Sequence, residues 1–173
     1  GLSLWDIDKN ALRFNWNQEQ DNADNLVLAL DIANNNSHVV TANRNNFALW
    51  NTQTGESEGF WQIRESSIRD IKVADNGRHV LIGKGNGTVV HVNVDNGRRL
   101  EFLGHQERVN SIDLMPNGRV AMSGANDFSA LVWDSVSGQV IYRFNHPSRV
   151  TKVALDPKGR FAFSADSKKS ANI

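Results

Sequence analysis

Residues 104–134 read GHQERVNSIDLMPNGRVAMSGANDFSALVWD. Three short runs dominate this stretch: VNSIDL at 109–114, RVAMSGA at 119–125 and SALVWDS at 129–135. Each carries β-branched or other apolar residues and is bounded by Asn, Asp, Gly or Pro, the pattern of strands between tight turns. A fourth run, QVIYRF at 139–144, follows Gly138. No segment carries apolar residues at helical spacing over three turns. The stretch therefore predicts an antiparallel meander of four strands, a to d in chain order.

The same unit recurs at a step of 41 residues, seen in Val27, Ile68, Val109 and Val150. Leu30, Ile71, Ile112 and Val153 keep that step, as do Ile32, Val73, Leu114 and Leu155. One turn column reads Asn36, Gly77, Gly118, Gly159; a second reads Asn10, Gly55, Gly97, Gly138. Gly and Asn tolerate positive φ best, so both columns predict turns. Four strands of about 5–6 residues with turns of about 4–5 fill roughly 40 positions. In strand a of every copy the apolar spacing is three residues and then two, which predicts a β-bulge at the strand's start. In strand b the column Ala42, Gly83, Gly124, Ala165 is always small, as expected where neighbouring sheets approach closely. One such sheet cannot cover both of its faces. Stacking like sheets around an axis does.

These features resemble the WD-repeat β-propeller family. Trp5-Asp6 and Trp133-Asp134 match its signature dipeptide, with Trp50-Asn51 close to it. Gly104-His105 matches the second signature, and Asn145-His146 is a degenerate copy. The resemblance covers essentially the whole chain and implies an all-β propeller of four-stranded antiparallel blades, with about four blades' worth present. Residues 1–20 would supply strands c–d of the first blade. Residues 21–65, 66–105 and 106–147 would form complete repeats, and 148–173 strands a–b of the last. In this family about seven blades usually close a ring. Three arrangements are compatible with that: a longer chain, two copies associating to complete one ring, or a closed four-bladed ring.

The resemblance also implies a buried structural hydrogen-bond chain of His105, Ser123, Asp127 and Trp133. The third copy is then expected to be the most stable local unit. The first complete copy offers Thr41, Asn45 and Trp50, and the second Ile82, Asn86 and Val92. The last has His146 and Ser164, with Lys168 at the Asp position. These three are expected to rely on packing alone.

Composition narrows the function classes. The 173 residues contain 19 basic and 19 acidic side chains, a formal net charge of +0, and no cysteine. Zero net charge and dispersed basic residues argue against nucleic-acid binding by phosphate neutralisation. No run of about 18 apolar residues predicts a membrane span. Disulfides and thiolate chemistry are excluded. The compartment stays open: cytoplasmic, or periplasmic if an export signal lies upstream. Ser123, His105 and Asp127 mimic a hydrolase triad, but the G-x-S-x-G elbow is missing. Lys84 in GKGNGT mimics a phosphate loop, but the GK[ST] ending is missing and Asn86-Gly87 reads as a hairpin turn. The five histidines show no local metal spacing, and no cofactor is implied. The column Trp16, Trp61, Leu103, Phe144 late in strand d reads as packing between blades.

The family's d–a and b–c loops share one face and commonly bind protein segments. By position this face would carry Arg44, Lys84, Glu107, Arg108, Asn126, Phe128 and Arg149. Exposed aromatic and Arg side chains are frequent binding anchors, which singles out Phe128. The polar stretch NQEQDNADN at 17–25 lengthens the first d–a loop. The resulting expectation is a non-catalytic scaffold for a protein or peptide partner. FALWNTQTGESEGFW at 47–61 supports one alternative, a quinone-type eight-bladed assembly factor. A propeller hydrolase or lyase is a further one.

Overall fold

The structure, a computed structural model, describes residues 1–16, 26–168 and the backbone of 171–172. The 17–25 stretch lies outside the described residues. β1 (Leu2–Asp6) and β2 (Ala11–Trp16) form a hairpin. A first four-stranded meander follows: β3 (Ala29–Ile32), β4 (His38–Ala42), β5 (Asn46–Asn51) and β6 (Ser57–Gln62). The second comprises β7 (Ile68–Val73), β8 (His79–Lys84), β9 (Val89–Asn93) and β10 (Arg99–Phe102). The third comprises β11 (Val109–Leu114), β12 (Val120–Ala125), β13 (Ser129–Asp134) and β14 (Val140–Asn145). The last described sheet holds β15 (Val150–Leu155), β16 (Ala162–Asp166) and β17 (Ala171–Asn172). All pairings are antiparallel between consecutive strands, and there is no helix among the described residues. These sheets are propeller blades.

The expected bulge is present at the start of strand a in three blades, between Ile68 and Asp70, Val109 and Ser111, and Val150 and Lys152. In the first complete blade, β3 begins only at Ala29, and its register with β4 is regular. That copy keeps the spacing in its sequence but pairs only the part of the strand beyond the bulge.

The apolar core lies between sheets rather than within them. Val40, Phe47 and Leu49 of the first blade pack with Ile68, Ile71 and Val73 of the second. Leu81, Val89 and Phe102 pack with Val109, Ile112 and Trp133 of the third. Met122, Ala130 and Val132 then meet Val150 and Val153. The small column of strand b makes this contact possible. A Cβ on Gly83 would stand 2.8 Å from Val109 Cγ1, and one on Gly124 2.5 Å from Val150 Cγ1. The facing strand a would have to retreat. Leu30 and Ile32 of β3 show the converse. They are 56% and 42% exposed, although their equivalents Ile71 and Val73 are 0% and 4%. Among the described residues, the sheet ahead of β3 shows β1 and β2, and no strand b lies against β3.

The strand-d column does not behave as one packing layer. Trp16 crosses to Trp50 of the next sheet, with ring centroids 5.3 Å apart. Trp61 instead stacks on Phe47 of its own sheet at 4.9 Å, because the two are paired across β5 and β6. Leu103 lies beyond the end of β10 and is 78% exposed, and Phe144 is also exposed.

Gly124→Ala is expected to destabilise the chain by about 1–3 kcal/mol through overpacking. Gly97 has φ +69, and a Cβ added there would meet nothing within 4 Å, so it should accept Asn with little change. Chemical denaturation of the two variants side by side checks this.

Candidate functional site

The predicted hydrogen-bond chain is assembled in the third blade. Ser123, on β12, accepts the Trp133 indole N–H at 2.7 Å. Its own proton then goes to His105 Nε2, at 2.7 Å. Neutral His105 thus carries its proton on Nδ1, which faces Asp127 Oδ2 at 3.0 Å. Asp127 also accepts from the Ser129 hydroxyl at 2.8 Å and the Gln106 N–H at 3.0 Å. Burial holds the His105 imidazole below its ordinary value despite the Asp127 charge. Burial pushes the Asp127 carboxyl up, but His105 and the donors from Ser129 and Gln106 outweigh it and leave it below its ordinary value. Ser123 is 0% exposed and its proton is committed, so no substrate carbonyl can reach it. This triad of residue types is a rigid strut between β12, β13 and the d–a loop.

Two other blades depart from the expectation of packing alone. In the last, His146 bonds Ser164 Oγ through Nε2 at 2.8 Å and Asp166 Oδ2 through Nδ1 at 3.1 Å. The carboxylate comes from the end of β16, two residues before Lys168, whose place in the repeat it takes over. The Lys168 N–H and the Ser148 hydroxyl also donate to Asp166. Any acid placed near the imidazole can complete the chain, so repeat position alone misassigns it. In the first complete blade, Trp50 Nε1 donates to Thr41 Oγ1 at 2.9 Å. The second blade, with Ile82 and Val92 in the core, uses apolar packing at these positions, as expected.

The loop face gathers most of the candidate binding residues. Arg44, Glu107, Arg108, Phe128 and Arg149 are exposed, and Asn126 is half-buried. Backbone bonds hold the loops in place. The Arg44 carbonyl takes the Ile68 N–H, Arg108 takes Asn126, and Arg149 takes Ser167. The Asn126 side chain accepts from Asn110 Nδ2 at 2.8 Å. Lys84 is different. It is the last residue of β8, paired with Ile68, and is 2% exposed, so it is no loop contact. The hairpin loop starts only after it, at Gly85, whose N–H bonds the Ser67 carbonyl.

Two features of this face escape sequence reasoning. Phe128 has φ 65 and is 51% exposed. It occupies the position that Gly87 holds, with φ 89, one repeat earlier. A bulky residue in the left-handed region is a backbone outlier of the kind stored at functional sites. Arg69, exposed on β7, is the second feature. Its Nε lies 3.3 Å from where a Cβ on Gly85 would stand. Burial and the nearby guanidiniums of Arg108 and Arg44 hold its value below the ordinary one. Among the described residues no carboxylate pairs with Arg44, Arg69, Arg108 or Arg149. A count of charges along the chain could not show that the charges of two loop arginines, Arg44 and Arg108, act on Arg69 of β7.

Successive four-stranded sheets packed face to face, with a His–Ser–Trp chain inside a blade, define a propeller module of the WD-repeat type. The chain belongs to the family of the IFT122 second beta-propeller, whose model matches residues 8–166. A comparison with curated proteins returned no match. Membership of this family supports the role of a protein-interaction scaffold. No helix among the described residues is long and apolar enough to cross a membrane.

Ser123→Ala strands the Trp133 indole and His105 Nε2, and a loss of about 1–3 kcal/mol is expected in urea unfolding. Acid acts in one direction on this network. With His105 and Asp127 both below their ordinary values, the unfolded chain takes up protons first. The contribution is complete above about pH 6.5 and is lost as pH falls through the folded values. Urea midpoints between pH 7.5 and pH 5 should therefore decline, and decline less in His105→Asn.

Proposed function

We propose that this chain is a non-catalytic scaffold whose d–a and b–c loop face holds an acidic segment of a protein partner. The observations that support the reading are the charges of Arg108 and Arg44 acting on Arg69, the lack of a carboxylate paired with any of the three among the described residues, and the exposed, left-handed Phe128 on the b–c loop that bonds the Arg108 carbonyl through Asn126 N–H. Three cations held together repel one another, and a carboxylate-bearing segment removes that repulsion. Arg also offers two parallel donors to each carboxylate. Phe128 adds an apolar anchor of the type that dominates binding energy when buried by a partner. Main-chain bonds anchor these loops to one another and to the strands beneath, among them Asn126 N–H to the Arg108 carbonyl and Ile68 N–H to the Arg44 carbonyl. The buried chain of Ser123, His105, Asp127 and Trp133 belongs to that frame and not to the binding face.

A glutamate-rich peptide bearing one Trp serves as the probe, followed by fluorescence polarisation. The peptide should bind more weakly as salt rises, since exposed charges are screened beyond about 10 Å at 0.1 M. Arg69→Glu combined with Arg108→Glu should weaken binding at least tenfold. Phe128→Gly relieves the left-handed strain and should leave folding intact while weakening binding. Equal affinity for wild type and the double variant would reject this face.

A further inference from the structure

At the opposite ends of the strands, a cleft of about 120 Å³ opens between the second and third complete blades. His79, His91, Asn93, Arg98 and Leu100 line it from one blade, and Ser135 and Val136 from the next. His79 pairs with Asn93 and Leu81 with His91, so the two histidines are diagonal neighbours on one face of the β8–β9 ladder. Their rings lie 17° from parallel, with centroids 5.0 Å apart. His79 Nδ1 and His91 Nε2 share a hydrogen bond at 3.1 Å, which an ion between them would replace. In the first complete blade the equivalent of His91 is Leu49, and His38 turns instead to Ser37 Oγ at 2.7 Å and Glu58 at 3.3 Å. The imidazole pair is therefore a property of one blade and no part of the repeat.

The cleft contains a second unusual group. Ser135 is 1% exposed, and its Oγ is the single fully buried side-chain polar atom without a partner among the described residues. Thr52 occupies the same repeat position in the first blade, where its hydroxyl bonds the Asn36 carbonyl. Ser135 has no such bond, although a buried hydroxyl left unpaired costs about 1–3 kcal/mol. One unsatisfied hydroxyl and a hydrogen-bonded imidazole pair thus line one small, mostly apolar cleft.

We propose that His79 and His91 bind one divalent transition ion of the zinc class in this cleft, with water completing its shell and the Ser135 hydroxyl bonding that water. An ion about 2.0–2.1 Å from each nitrogen would see the pair at roughly 100°, between the tetrahedral and square-planar angles. Asp95 lies near His79 but is already paired with Arg78. Among the described residues no group of three or more His, Cys, Asp and Glu exists, so this is an open two-nitrogen site and not a closed structural one.

Titration of the full chain with Co²⁺ and then Zn²⁺ tests the assignment. One Co²⁺ per chain should bind, develop visible absorption and be displaced by Zn²⁺. Zn²⁺ should also raise the thermal midpoint, since it binds the folded state alone. His79→Ala and His91→Ala should each weaken binding at least tenfold, and His38→Ala should leave it unchanged. Paramagnetic broadening by Co²⁺ in the wild-type chain provides a readout that does not depend on a variant's folding. It should centre on the His79 and His91 ring signals. Absence of saturation at one ion per chain, broadening centred on other histidines, or equal affinity in folded His79→Ala would overturn the site.

Discussion

The fold depends on how the first strand of each blade meets the next. Strand a pairs with strand b on one side only, so its outer amides need other acceptors. Carboxylates of the preceding blade provide them. Asp70 takes its neighbour Ile71 N–H through Oδ1 at 3.0 Å and Ile112 N–H of the following blade through Oδ2 at 2.9 Å. Asp113 repeats this with Leu114 at 2.9 Å and Leu155 at 2.7 Å. Asp31 bonds the Val73 N–H at 3.0 Å and the Lys72 ammonium at 3.1 Å. Each carboxylate ties two blades and satisfies edge amides that would otherwise invite pairing with a foreign strand. The same blades press their apolar faces together, and Gly83 and Gly124 set how closely they can come.

That frame explains why the polar chains inside the blades are structural. A buried imidazole is tolerated only where both nitrogens are satisfied. His105 and His146 each meet a serine on one side and a carboxylate on the other. The blades reach a rigid state by different routes: two with a His–Ser–Asp chain, one with a lone indole-to-threonine bond, and one with aliphatic packing. The loops are free to vary because none of these struts depends on their outward side chains. Arg44, Arg69, Arg108 and Phe128 take no part in the core and are available to a partner.

The third blade is the most readable part of the chain. Its strands, its turn glycines and its buried tetrad follow from residues 104–134, because strand alternation and turn conformation are local and repeat with the sequence. The last blade misleads for a definite reason. The repeat aligns Lys168 with Asp127, but Asp166 reaches His146 from the strand end, and hydrogen bonding selects by distance and not by column. Lys84 differs from its expected place by a single residue. The ladder of β8 extends through it, which carries its side chain from the expected loop into the buried set.

By itself the sequence determined the repeat length, the four-stranded unit, the small positions of strand b and the family. These are consequences of alternation, φ preference and side-chain size, all of which operate over a few residues. The tertiary structure alone decided which side chains meet across blades and hairpins, Asp166 with His146 and His79 with His91 beside Ser135, and which charges act on Arg69. Those meetings depend on strand register and on the angle at which blades stack. Such quantities arise from the packing of whole sheets, so residues distant along the chain carry no local mark of them.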